Sequence, residues 1–91
     1  MSAWGVRVRV RLFASLREAV GSGLLELDLP AGATPADAWG ALVRSKPAIA
    51  PRRSSLAAAV NRSYAGFDAP LHEGDEIAFI PPVSGGSLEG P

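Results

Sequence analysis

Val6-Arg7-Val8-Arg9-Val10-Arg11-Leu12 alternates apolar and cationic side chains with a period of two. Successive side chains of a β-strand point to opposite faces, so this stretch predicts a first strand with its valines and leucine on a core and its arginines in water. A short helical turn is expected around residues 15–19. Gly21-Ser22-Gly23 then precedes Leu25, Leu27 and Leu29, which alternate with Glu26 and Asp28 as a second strand. Antiparallel pairing of the two would set outward arginines beside outward carboxylates, each exposed pair contributing roughly a few tenths of a kcal/mol. The arginine stripe therefore reads as a solvated sheet face with cross-strand partners.

Beyond the second strand, Thr34-Pro35-Ala36-Asp37 marks a helix start. The threonine hydroxyl caps, proline suits the first helical position, and Asp37 favours the positive helix end. The helix is expected to run to about Lys46, with Ala38, Trp39, Leu42 and Val43 on one stripe, which assigns Trp39 to the core. Pro47 and Pro51 stop the helix and open a loop carrying Arg52 and Arg53. Residues 56–60 are almost continuously apolar and predict a central, covered strand, which Asn61-Arg62-Ser63 turns into a short strand at Tyr64. A glycine-centred turn within residues 71–75 leads to the last strand, Glu76-Ile77-Ala78-Phe79-Ile80, with Ile77 and Phe79 facing the core. One helix across one face of a mixed sheet, with the first and last strands central, is an α+β, ubiquitin-like β-grasp arrangement. The domain is expected to span residues 1–81, followed by a tail at 82–86 and an extension at 87–91.

Composition sets the outer limits. With 91 residues and 47% hydrophobic content the chain supports one small domain. Nine basic residues balance nine acidic ones, so no overall field draws it to nucleic acid or an anionic membrane. The charges are unevenly placed along the chain: Arg7, Arg9, Arg11 and Arg17 come early, whereas Asp68, Glu73, Asp75, Glu76 and Glu89 crowd the last quarter. A basic and an acidic face, each open to a partner, are expected, with Arg11, Asp75 and Glu76 available for electrostatic steering. The absence of cysteine removes disulfides, thiolate metal sites and cysteine nucleophiles together. His72 stands alone beside a turn, so no metal site is expected. No apolar run is long enough to span a bilayer and residues 1–5 lead into no signal core, which predicts a cytoplasmic location.

The last strand runs into Pro81-Pro82-Val83-Ser84-Gly85-Gly86. Two prolines stiffen this segment and two residues without side chains end it, the profile of a thin arm able to enter a narrow tunnel. Its chemistry would reside in a backbone carboxyl. Phe13 falls on the arginine side of the first strand, Ile80 ends the last, and Tyr64 sits on the short edge strand.

Val8-Arg9-Val10-Arg11-Leu12-Phe13-Ala14-Ser15-Leu16-Arg17-Glu18, Leu29-Pro30-Ala31-Gly32-Ala33-Thr34, Val60-Asn61, Gly74-Asp75-Glu76-Ile77-Ala78-Phe79-Ile80 and the Pro81–Gly86 ending together resemble the MoaD/ThiS sulfur carriers, most closely the MoaD branch that serves molybdopterin synthase. The resemblance covers nearly all of residues 6–86. It implies a carrier that binds no cofactor of its own and whose Gly86 carboxyl, next to Gly85, is adenylated by an ATP-using, ubiquitin-activating-type (MoeB-like) partner. A persulfide donor then converts it to a thiocarboxylate, and a large, MoaE-like synthase subunit takes the sulfur for the pterin precursor of the molybdenum cofactor. Residues resembling Phe13, Tyr64 and Ile80 form the family's exposed contact with both partners, and Pro81, Pro82, Val83 and Ser84 carry the arm inward. The carrier would be the non-catalytic, sulfur-donating subunit of the synthase.

The chain departs from the family at its end. Members of this branch usually stop at the second glycine, whereas Ser87-Leu88-Glu89-Gly90-Pro91 follows here and puts an amide where the reactive carboxyl belongs. Either a processing peptidase removes these residues, as for related carriers made as precursors, or the extension blocks function altogether. Related carriers share the activation chemistry and serve thiamine, tRNA thiolation or cysteine synthesis, and a ubiquitin-like protein modifier or a plain interaction module are the readings outside that class.

Overall fold

The computed structural model describes residues 5–81. The elements run β1 (Gly5–Leu12), α1 (Ala14–Val20), β2 (Leu24–Pro30), α2 (Pro35–Ser45), a 3-10 helix (Pro47–Ser55), β3 (Ala57–Val60), β4 (Ser63–Ala65) and β5 (Glu76–Ile80). They form one sheet in the order β2-β1-β5-β3-β4. Strands β1 and β5 are parallel, and every other neighbouring pair is antiparallel. The last strand is therefore the middle of the sheet, flanked by the first.

The period-two pattern of β1 works as the sequence predicts. Val8, Val10 and Leu12 are buried beneath α2 and its surroundings, while Arg7, Arg9 and Arg11 stay exposed. Arg7 and Asp28 are direct cross-strand partners, and Arg7 Nε donates to Asp28 Oδ1 at 2.8 Å. In the core, Trp39 meets Phe79 edge-on with ring centroids 5.3 Å apart, and Phe67 stacks on Phe79 at 5.9 Å. Both Ile77 and Phe79 are fully buried. The architecture is the ubiquitin-like β-grasp, and no described helix is long and apolar enough to cross a membrane.

Helix α2 begins with a reciprocal cap: the Asp37 N–H donates to Thr34 Oγ1 at 3.4 Å and the Thr34 N–H donates to Asp37 Oδ2 at 2.9 Å. Two N–H groups without helical partners are satisfied at once. Thr34→Ala is expected to lower stability by about 1 kcal/mol in urea unfolding.

Three expectations change. The segment after α2 is a 3-10 helix rather than a loop. Proline's fixed φ suits that conformation, and buried Ile49 ties the segment to the core. Arg52 and Arg53 are tied down as well, Arg52 Nη1 to Ser15 Oγ at 2.7 Å and the Arg53 guanidinium over the Phe67 ring at 3.4 Å. The lengthwise separation of charge also disappears in three dimensions, because parallel pairing of β1 with β5 lays early arginines against late carboxylates. Arg11 Nε donates to Glu76 Oε2 at 2.7 Å, and the Arg7 N–H donates to Glu73 Oε1 at 2.9 Å. Asp75 is a turn-locking group, not a steering charge. With its side chain only 14% exposed, it accepts from the His72 N–H at 2.8 Å and from Asn61 Nδ2 at 3.0 Å.

Candidate functional site

One row of residues crosses all five strands on the face turned away from α2: Leu24, Arg11, Ala78, Ala59 and Tyr64, each the register partner of the next. Two methyl groups in the middle of the row, between long side chains on either side, make the open face concave. The resulting groove has a volume of about 410 Å³ and is lined by Arg11, Phe13, Ala59, Arg62, Tyr64, Glu76, Ala78 and Ile80.

The three patch residues come together here. Tyr64 is 78% exposed on the edge strand, Phe13 is 41% exposed just after β1, and Ile80 is half-buried at the end of β5 opposite Ala57. Ala14 adopts φ 51°, uncommon for a residue with a Cβ, so the chain turns sharply into α1 directly after Phe13. Large apolar groups left in water around a concavity are a signature of a protein contact. Pro81 is half-buried beside this groove, where the chain leaves the sheet. Pro82, Val83, Ser84, Gly85, Gly86 and the extension at 87–91 lie outside the described residues, as does the proposed boundary between tail and extension.

The alanine floor and Arg62 were missed by sequence reading. Ala78 was recoverable, since it shares the strand face of Ile80. Ala59 was not, because Ala57-Ala58-Ala59 carries no alternation from which a facing can be read.

The groove's polar edge is the Arg11–Glu76 pair. The Arg11 hydrogen bond holds the Glu76 carboxyl below the usual carboxylate range against the opposing effect of desolvation, and Arg7 does the same for Asp28. Both folded values lie below the unfolded ones, so the stabilisation is complete above the unfolded carboxylate range and is lost as pH falls through the lowered values. The urea midpoint is expected to drop as the solution is taken from neutral pH to below about pH 4, and Glu76→Gln should flatten that acid limb. Among the described residues no group of three or more His, Asp or Glu is arranged to hold a metal.

A family model described as "ThiS family" matches residues 10–86. The chain belongs to the ThiS family. The match ends on Gly86 and leaves residues 87–91 beyond it. Among ThiS-like relatives, the molybdopterin synthase sulfur carrier subunit of Escherichia coli is 39% identical over 88 residues, which cover 87% of this chain and 99% of that protein. Its Arabidopsis thaliana counterpart is 38% identical over 81 residues, 89% of this chain and 84% of that one. The crystal structure of SAMP1 from Haloferax volcanii superposes with a TM-score of 0.79 at 34% identity, covering 88% of this chain and 99% of that chain.

Proposed function

We propose that this ThiS-family chain is the sulfur-carrier small subunit of a molybdopterin synthase, delivering sulfur from a thiocarboxylate at Gly86 to the pterin precursor of the molybdenum cofactor. The observation that carries the reading is the family match over residues 10–86, ending on the glycine that the chemistry requires, among relatives named for that role.

The mechanism asks little of the carrier's side chains. A carboxylate is a poor electrophile, so an ATP-using partner of the ubiquitin-activating type converts the Gly86 carboxyl to an acyl-adenylate with release of pyrophosphate. The outer sulfur of a persulfide donor displaces AMP to give an acyl disulfide, and a thiol then reduces its S–S bond, leaving the thiocarboxylate on Gly86 and a disulfide on the donor side. The groove seats the domain on its partner, and the strand beside it fixes where the arm begins. Holding one reactive group at a set position converts an encounter into a nearly intramolecular step. Any side chain at Gly85 or Gly86 would widen the arm and crowd the carbonyl. The large, MoaE-like subunit accepts the arm and the carrier leaves as a carboxylate.

In the full chain Gly86 is joined to Ser87 by an amide, so a peptidase must first free its carboxyl. The chain ending at Gly86, incubated with the activating protein, ATP, a persulfide donor and a thiol reductant, should gain mass equal to exchange of one oxygen for sulfur, while the uncut chain should gain none. A Gly86-terminated chain that stays unmodified defeats the carrier reading.

The likeness to SAMP1, a protein named as a modifier, favours a second reading in which the freed Gly86 is attached to lysines of other proteins. Isopeptide-linked adducts in the native cell would mark that role. Service to thiamine, tRNA thiolation or cysteine synthesis would use the same activated terminus and differ in the receiving partner.

A further inference from the structure

Arg62 occupies a backbone position that suits glycine. Val60 pairs with Ser63, so Asn61 and Arg62 form a two-residue hairpin loop, and both have positive φ, 52° and 71°. Turns of this kind favour Asn-Gly, because the second residue enters the left-handed region where a Cβ is strained. Asn61 fits its place and works there: its Oδ1 accepts from the Glu76 N–H at 3.0 Å and its Nδ2 donates to Asp75. Arg62 makes no side-chain hydrogen bond among the described residues, and its charge acts on Glu76 only through space, behind the direct bond from Arg11. It is exposed, and among the described residues it makes no ion pair. Strain kept at a position without local compensation points toward function.

The side chain lines the groove. Two guanidinium groups there, Arg11 and Arg62, face one carboxylate, Glu76, and Arg11 already holds it. Among the described residues the groove thus has an apolar floor and one more cation than carboxylate at its rim. Beyond the apolar contact that the family resemblance already implies at Phe13, Tyr64 and Ile80, we propose that Arg62 pairs with a carboxylate of the partner segment seated on this groove. The occupant is a protein surface bearing Asp or Glu beside apolar residues, and under the carrier reading, on which this inference rests, that surface belongs to the large synthase subunit. Arg62 is then a specificity-determining residue: it rewards a partner with an acid at this spot and disfavours one with a cation.

The test is calorimetric titration of the large subunit with the chain ending at Gly86, which keeps every described residue. Arg62→Gly should raise the melting temperature by a few degrees, because it relieves the turn, yet weaken binding by about tenfold and reduce its salt dependence. A purely structural role would not move stability and affinity in opposite directions. Arg62→Lys should keep most of the affinity. Carbodiimide treatment of that variant's complex should join the introduced amine to an Asp or Glu of the partner, located by mass spectrometry, while Lys46, the one lysine in the sequence, serves as the internal control. If Arg62→Gly binds as wild type while Tyr64→Ala loses affinity, the docking face stands and the carboxylate pairing is wrong. A wild-type chain that fails to bind the large subunit at all overturns the docking reading and this inference with it.

Discussion

Phe79→Ala lowers the stability of the domain by about 3–5 kcal/mol in urea unfolding, the range for removing a fully buried aromatic ring. Phe79 has no exposure, sits on the middle strand, and touches both Trp39 and Phe67 through ring contacts at 5.3 and 5.9 Å. The void left by the ring would lie between the sheet and α2, where neither can close in without losing register or cap. A domain of this size has on the order of 5–10 kcal/mol in total, so the variant sits near the unfolding threshold. Phe79→Leu, which keeps most of the volume, should cost clearly less. Equal losses for the two would mean that the ring contacts and the cavity are not what sets the stability here. Because β5 leads directly into Pro81, the alanine variant should also lose sulfur loading at temperatures where it has melted, and regain it on cooling.

The second large effect concerns binding and leaves the fold alone. Ala78→Trp fills the floor of the groove between Arg11 and Ala59, on the sheet face turned away from α2. Affinity for the large subunit should fall by about 100-fold, as expected when the centre of a contact is blocked, with stability within about 0.5 kcal/mol of wild type. Calorimetry for binding and urea titration for folding separate the two readouts. Undiminished affinity would mean that docking uses another face. The same variant should still be adenylated if the activating protein grips only the arm, and should fail in both reactions if the two partners share the groove.

How much of this was legible depended on whether a residue's environment is written locally. The Val/Arg alternation of β1 and the Leu/acid alternation of β2 each declare a face, and the Thr34–Asp37 spacing declares a helix start, because strand and cap geometry act over a few residues. Counting along strands put Phe13 on the arginine face and Ile80 on the face opposite Ile77 and Phe79, while the grouping of these two with Tyr64 came from the family resemblance. The 3-10 helix was not legible, since two prolines stop an α-helix in the same way whether a loop or a tighter helix follows. Charge sorting failed for a different reason. Arg11 and Glu76 are 65 positions apart and meet only because β1 and β5 pair in parallel, a fact about topology that no window of sequence contains. Arg62 was read as a turn residue, which it is. Its strained φ, and hence its interest, appears only once the register of β3 on β4 fixes a two-residue loop.

The position of β5 in the middle of the sheet bears on how the protein is made. Strands β1 and β3 both pair with a segment synthesised near the end of the chain, so a nascent polypeptide holds two unmatched edges until residues 76–80 emerge from the ribosome. Such long-range pairing makes folding comparatively slow and late. A product terminated before residue 76 would lack the middle strand of the sheet and, with it, the Glu76, Ala78 and Ile80 lining of the groove.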